Sequence, residues 1–415
     1  MPTSNRIAVT GVGVVAPFAG TAIEAKRAAL AGTSGVKLVP TELWDRTPIH
    51  LHAPVADTNL TRISTKERRR LDRCAQLALQ AGREAWEDAA VPEVDPERLV
   101  VVASAGLAGL QTILYESQRW QERWEETGSL SGPAYAVPSI MPNAISALLA
   151  LDLGARGGAF SSVSACASGA ESIARGVRIL QDDDADVVLV GGAEAAIHPM
   201  TLCAFAGLRV LSNREQDPAA ASRPFERDRD GFVMGEGAAM LVLEKENHAR
   251  ARGADVYATF LGAGQSCDAF HIVSPEPEGR GAALAIRRSL HNAGVQTTDI
   301  GFVSTHAAGT KAGDLAEARA LSAVLGAHAS SVPVSALKSQ IGHLLGASGA
   351  LSAAVTVLCA RDGVMPGTLN LDNIDEEIEL MVIGEGPHAV REDSVFLVNT
   401  FAFGGHNVVL VAAAP

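Results

Sequence analysis

Short, largely apolar and β-branched runs recur along this chain without the polar alternation of a half-solvated strand. They are Arg6–Gly11, Leu99–Ala103, Asp186–Gly191, Ala238–Leu243 and Phe396–Asn399. Strands of that kind must be covered on both faces, so each sheet has to lie between helices. Ala-rich amphipathic stretches supply the cover. Their periodicity predicts helices over Lys66–Ala90, Ala167–Leu180, Gly279–Ala293, Leu315–Leu325 and Gly346–Ala360. The segment Thr112–Pro138, richer in Trp, Gln and Glu, departs from this pattern.

A chain of 415 residues exceeds what one hydrophobic core usually organises. A strand–glycine segment at Val256 (VYATFLGAG) echoes the one at Arg6 (RIAVTGVGVV), which suggests a duplicated fold. The expected halves are residues 1–250 and 251–415, with the charged run Glu244–Gly253 as an exposed junction. A formal net charge of −13 argues against nucleic-acid binding, which needs a basic surface to displace counterions. The five cysteines, Cys74, Cys166, Cys203, Cys267 and Cys359, form no CxxC pair and are odd in number. That pattern fits a reducing compartment better than a disulfide framework or a zinc site. Residues 1–15 lack the form of a secretory leader, and no stretch reaches the ~18 apolar residues of a membrane span, so the chain reads as cytoplasmic.

One cysteine has a setting suited to chemistry. Cys166 lies in SSVSACASGAESIARG, where a small, β-branched run gives way to a helix. A thiol at a helix N-terminus meets unpaired N–H groups and the positive end of the macrodipole, which favour the thiolate and an adjacent oxyanion. Taken alone, Cys166 is more often a small buried hydrophobe. Two histidines shift that balance. His306 in VSTHAAGTKAGDLAE and His343 in SALKSQIGHLLGASGA, with Lys338 just before it, also stand between a strand-like run and a helix. Strand C-terminal ends cluster on one side of a parallel sheet, where α/β folds build their sites. A dinucleotide fingerprint is rejected at Thr10–Pro17, which has one GxG but no third glycine. The mixed run Ser222–Gly237 is read as internal ion pairs rather than a metal loop. Phe401–Gly405 (FAFGG) would suit a mobile gate or an ordinary apolar turn.

Cys166 in SACASG, His306 in HAAGT, Lys338 and His343 in KSQIGHLLGASGA, and FAFGGHN at Phe401–Asn407 together resemble the β-ketoacyl-ACP synthases of the chain-elongating type. VSACASGAESIAR, RPFERDRDGF and GDLAEARA resemble the actinobacterial Kas-type enzymes in particular. The resemblance runs over almost the whole chain. It implies an α/β thiolase-like fold of two similar halves, each a mixed five-stranded sheet, in five α-β-α-β-α layers. It implies a homodimer, with the excursion at Thr112–Pro138 near the dimer contact and the acyl tunnel. It implies that Cys166 carries the acyl chain and that the backbone N–H groups of Cys166 and Phe403 hold the oxyanion. His306 and His343 would stabilise the enolate left when malonyl-ACP loses carbon dioxide, and Lys338, paired with Glu317, would order their surroundings.

By the same resemblance, Thr310 and Ser274 would hold the pantetheine arm, and Leu107 would close the acyl pocket with Phe205 nearby. Lys66, Arg69, Arg70 and Arg209 would receive the acidic acyl carrier protein, although an ordinary solvated face is nearly as good a reading of those four. No cofactor is implied, since phosphopantetheine arrives on the carrier. Ala308, Val273 and Ala402 depart from the family pattern, and the last stands between the gate residues Phe401 and Phe403. An alternative is a ketosynthase subunit of a type II polyketide synthase, working with a chain-length-factor partner. A non-catalytic chain-length partner is disfavoured by the Cys–His–His set. A degradative thiolase would need a second active cysteine near the C-terminus, and Phe401–Asn407 has none.

Overall fold

In the computed structural model, residues 6–39, 47–90, 93–129, 131–391 and 394–415 are described. The first half supplies β1 (Ile7–Val15), α1 (Arg73–Ala89), β2 (Leu99–Ser104), α2 (Leu110–Thr127), α3 (Ala144–Leu153), β3 (Gly158–Phe160), α4 (Ser168–Gln181), β4 (Val187–Glu194), α5 (Pro199–Gly207) and β5 (Gly237–Lys245). The second supplies β6 (Ala258–Cys267), α6 (Arg280–Ala293), β7 (Ile300–Ser304), α7 (Lys311–Leu325), β8 (Pro333–Ser335), α8 (Ser348–Ala360), β9 (Met381–Val382), β10 (Val395–Ala402) and β11 (His406–Ala413).

These strands form one sheet in the order β9-β8-β7-β10-β11-β6-β1-β5-β4-β2-β3. Read outward from the centre, β1-β5-β4-β2-β3 and β6-β11-β10-β7-β8 have the same order. They also share the same senses, two antiparallel ladders followed by two parallel ones. That identity is the duplication. The two sheets are not separate, as five strands apiece would require. Ile7, Ala8 and Val9 pair with Phe260, Thr259 and Ala258, and β9 adds an eleventh strand at the far edge.

Alternate residues of each strand enter different cores. Val100 and Val102 face α4 and α8, whereas Leu99, Val101 and Ala103 face α1 and α3. In the second half Phe396 and Val398 face α4 and α8, while Val395 and Leu397 face α6 and α7. Five layers result, with α4 and α8 in the middle, and they account for the unbroken apolar strands. The glycines of TGVGVV serve packing. A Cβ on Gly11 or Gly13 would lie 2.2 Å from the carbonyl of Ala85 or 1.9 Å from that of Ala81, so α1 can lie directly on β1.

Two expectations need correction. The helix expected over Lys66–Ala90 is two helices, Thr65–Arg68 and α1, because buried Asp72 caps α1 through the N–H of Cys74. The run Glu244–Gly253 is not simply exposed. Glu244 is fully buried, held by Arg252 at 2.6 Å and by Thr10. Residues 1–5, part of the segment read for a leader, lie outside the described residues. Among those described, no helix is long and apolar enough to cross a membrane.

Candidate active site

Cys166 sits in a tight 3₁₀ turn, Ala165–Ala167, directly before α4. Ala165 is left-handed at φ +50°, and Ser168 locks the turn by donating to the Ala165 carbonyl at 2.7 Å and accepting the Ser164 N–H at 3.0 Å. The thiol is buried among Ile197, Leu202, Phe232 and Leu345. Its own N–H and that of Phe403 both approach the sulfur. Burial pushes the thiol up to about 12, Glu194 adds to the rise, and the Lys338 cation and the two N–H groups oppose it. The expected depression by the helix terminus is therefore overturned, because desolvation of the thiolate outweighs the local positive field.

His306 follows the end of β7. Glu317 on α7 accepts its N–H at 2.9 Å, the N–H of Ala307 at 2.7 Å and the Asn399 amide at 2.9 Å. Lys338 donates to the His306 carbonyl at 2.6 Å. The peptide of His306 is thus gripped at both ends. Lys338 and Glu317 do not form the direct ion pair expected from the resemblance, because the carboxylate is occupied by these N–H donors and the ammonium points elsewhere. The two still feel each other: burial raises the Glu317 carboxyl and lowers the Lys338 ammonium, and each charge opposes the other's shift.

His343 is positioned by its N–H to Val233 (2.7 Å), by its carbonyl accepting from Gly235 (2.9 Å) and by a 2.8 Å contact between Nδ1 and Ser348 Oγ. Its ring meets those of His306 and Phe232 edge-on, at 5.4 and 5.1 Å between centroids. Burial, with Lys338 second, holds both imidazoles well below their usual pKa. Both are neutral near pH 7, able to donate one N–H each.

Cys166, His306 and His343 line one cavity of ≈ 210 Å³, with Phe205, Val273, Ser274, Ala308, Thr310, Glu317, Phe401, Ala402 and Phe403 also on its wall. Thr310 is the residue before α7, Ser274 is exposed at the mouth, and Phe205 packs edge-on against Phe232. Ala402 is extended at φ −135°, a conformation open to any residue, and the left-handed positions of the segment Phe401–Gly405 belong to Gly404 at φ +80° and Gly405 at φ +74°. The Gly404 N–H donates to the Ile272 carbonyl at 2.7 Å, tying this segment to the one that carries Val273 and Ser274. Leu107 does not line this cavity. It is 39% exposed, because Glu194 draws its N–H inward and leaves the side chain outside. Arg209 is exposed between Leu208 and Val210 of the cavity wall, and Lys66, Arg69 and Arg70 lie around the short helix Thr65–Arg68 on the outer surface.

Several residues that matter here escaped the sequence reading: Ser348, Asn399, Asp314 and Glu194. Asp314 takes the N–H groups of Ala308 and Gly309, both at 3.1 Å, and meets buried Arg229 at 3.3 Å. Arg229 also pairs with Asp375 at 2.7 Å, so its ion pairs tie the run Ser222–Gly237 to acids outside it rather than within it. The acids of GDLAEARA, one turn apart, were the available signal for Asp314. No group of three His, Cys, Asp or Glu among the described residues could hold a metal ion. A buried sulfur with two convergent N–H donors, facing two neutral imidazoles, can accept an acyl group and stabilise negative charge on a carbonyl oxygen.

The N-terminal domain of the beta-ketoacyl synthases matches residues 4–249, and the C-terminal domain matches residues 257–372. A 3-oxoacyl-(acyl-carrier-protein) synthase 2 of Synechocystis is 37% identical over 98% of this chain and 97% of its own. One of Mycobacterium bovis is 42% identical over 85% of this chain and 83% of its own. The solved ishigamide ketosynthase/chain length factor superposes with a TM-score of 0.87 at 30% identity, covering 99% of each chain.

Proposed function

This chain belongs to the β-ketoacyl synthase family, enzymes of Claisen-type condensation in fatty-acid and polyketide chain elongation, and from that premise we propose how its own residues divide the work. Cys166 attacks the thioester carbonyl of an acyl chain carried on acyl carrier protein. The acyl group passes to sulfur and the carrier thiol leaves with the proton. Malonyl-ACP then enters, its carboxylate departs as carbon dioxide, and His306 and His343 donate to the thioester oxygen of the enolate. The enolate carbon attacks acyl-Cys166, giving β-ketoacyl-ACP, and the released thiolate takes up a proton. The N–H groups of Cys166 and Phe403 serve the oxyanion, Phe401–Phe403 gate the entrance, and Thr310 and Ser274 meet the pantetheine arm. Lys338 and Glu317 position His306. Arg209, with Lys66, Arg69 and Arg70, receives the carrier. The setting is the cytoplasm.

The observation that carries this reading is the convergence of Cys166, His306 and His343 on one cavity from three strand-to-helix junctions. Peptide mass spectrometry after incubation with acyl-ACP tests it. The acyl mass should appear on Cys166 alone, and label on another cysteine with Cys166 free would refute the assignment.

The partner is a second copy of this chain or a chain-length-factor homologue. Among the described residues, edge strand β3 pairs only with β2, and Leu151, Phe160 and Val163 around it are exposed, as are Trp120 and Trp124 of α2. The likeness to a ketosynthase/chain-length-factor assembly supports the second partner better than the first. Condensation by the pure chain alone would favour the homodimer. Activity only after a homologue lacking the nucleophile is added would favour the pair.

A further inference from the structure

The duplication places every element of the site opposite a counterpart. Cys166 and Gly346 are each the middle residue of the 3₁₀ turn before α4 and α8, and residues 166–170 and 346–350 read CASGA and GASGA. Both turns open on a left-handed non-glycine residue, Ala165 at φ +50° and Leu345 at φ +44°. His306 and Gly106 each stand two residues beyond matched strands ending at Ser304 and Ser104. Ala402 and Glu194 each end matched strands, β10 and β4.

In the copy that holds the thiol, the N–H groups of Cys166 and Phe403 point at the sulfur. In the other copy the matching turn N–H, that of Gly346, points instead at Glu194 Oε2 at 3.0 Å. The same oxygen takes the Gly106 N–H at 2.9 Å, and Oε1 takes that of Leu107 at 3.2 Å. Glu194 is fully buried, with no cation among these contacts.

We infer that the buried carboxyl of Glu194 fills the duplicate of the oxyanion site, and that by tying Gly346 to Gly106 and Leu107 it acts as the positioning residue for the His343 loop. The loop needs such a tie. It runs from His343 through left-handed Leu345, a conformation that costs a side-chain-bearing residue energy and persists only when its surroundings hold it. Gly346 lies three residues past His343 and two before Ser348, which contacts the imidazole Nδ1. Glu317 does the same for His306, taking the two N–H groups after β7 as Glu194 takes the two after β2. Each half therefore anchors the loop beyond its second strand through buried carboxylates: Glu194 in the first half, which reaches across to Gly346, and Glu317 with Asp314 in the second, where Asp314 reaches back to the Phe225 N–H.

This inference rests on the proposed roles of Cys166 and His343, and its test separates the two. Glu194→Gln retains shape but leaves one acceptor oxygen for three N–H donors and turns an NH₂ toward one of them. Acylation of Cys166 and decarboxylation of malonyl-ACP are measured separately, with the melting temperature. A shift of about 1 Å in a catalytic group costs up to roughly 10²-fold, so decarboxylation should fall by about that factor while acylation is not slowed, since losing the Glu194 carboxylate only eases the rise of the thiol. Equal losses in both half-reactions, or none, in a folded variant overturn the inference. If the glutamine variant does not fold, Glu194→Asp, which keeps the charge but is one methylene short, is judged by the same split. Condensation surviving in Cys166→Ala would instead refute the site assignment and leave the anchoring geometry untouched.

Discussion

Replacing Lys338 with methionine removes a cation while keeping the reach of the side chain. Lys338 is 2% exposed and donates to the His306 carbonyl at 2.6 Å. Losing that donor strands a buried carbonyl, worth about 1–3 kcal/mol of stability. Glu317 keeps its three N–H donors, and its carboxyl, already raised by burial, rises further and takes up a proton, which limits the loss. The larger effect is on the thiol. Burial raises Cys166 and Lys338 is the leading influence against it, so removing the cation raises the thiol again. A neighbouring opposite charge typically shifts a pKa by about 1 unit or more, and 1 unit is tenfold in thiolate at any pH below the pKa. The histidines move the same way. Burial lowers them, Lys338 adds to it, and without the cation they rise toward their ordinary value. They then protonate at a higher pH, so the acid limb of decarboxylation shifts upward. Alkylation of Cys166 by iodoacetamide, followed by intact mass between about pH 7 and 9, should be about tenfold slower in Lys338→Met at each pH. Equal alkylation rates in a folded variant would refute the electrostatic reasoning and leave Lys338 only its bond to His306.

His306→Ala and His343→Ala should still acylate Cys166 but lose about 10²–10³ in condensation, the usual cost of one oxyanion donor. Near wild-type product formation by either variant would remove that residue from the mechanism. Arg209→Glu should raise the KM for acyl-ACP more than for a short pantetheine thioester, and rising salt should act alike, since exposed charges are screened within about 8–10 Å. Equal losses with both substrates would place Arg209 within the chemistry. Ala402→Gly should speed acylation and leave decarboxylation alone, because the alanine fits the extended conformation seen here and restricts only other arrangements of the gate. Unchanged pre-steady-state acylation would show that the alanine is harmless.

The strands were legible because burial on both faces leaves no polar residue to blur runs such as Leu99–Ala103. Cys166, His306 and His343 were legible only together: each alone reads as an ordinary buried or surface residue, but one thiol and two imidazoles at three strand-to-helix junctions make coincidence a poor explanation. Glu194 was hidden, since a glutamate ending an apolar strand reads as the first solvated residue of a loop, and its three partners are backbone groups without a sequence signature. The break at Asp72 was hidden for a related reason. The apolar period of Lys66–Ala90 carries through it, and only the cap reveals it. The thiol's rise could not be read from local sequence, because desolvation depends on Phe232, Leu202 and Leu345, which arrive from elsewhere in the chain.

Helices α4 and α8, one from each half, share a single interior with strands of both, from Ile7 and Leu241 to Phe396 and Leu410. Each half keeps an outer core of its own, but the middle core belongs to both, so parting them along the central seam would bare the inner faces of both at once. Hinge opening between the halves is thereby denied to this molecule. The nucleophile and the two histidines keep their spacing for as long as the protein is folded at all. Whatever yields to admit an acyl chain must yield at the periphery, where Phe403–Gly405 is tied through the Gly404 N–H to Ile272 and through the Gly405 carbonyl to Asp268.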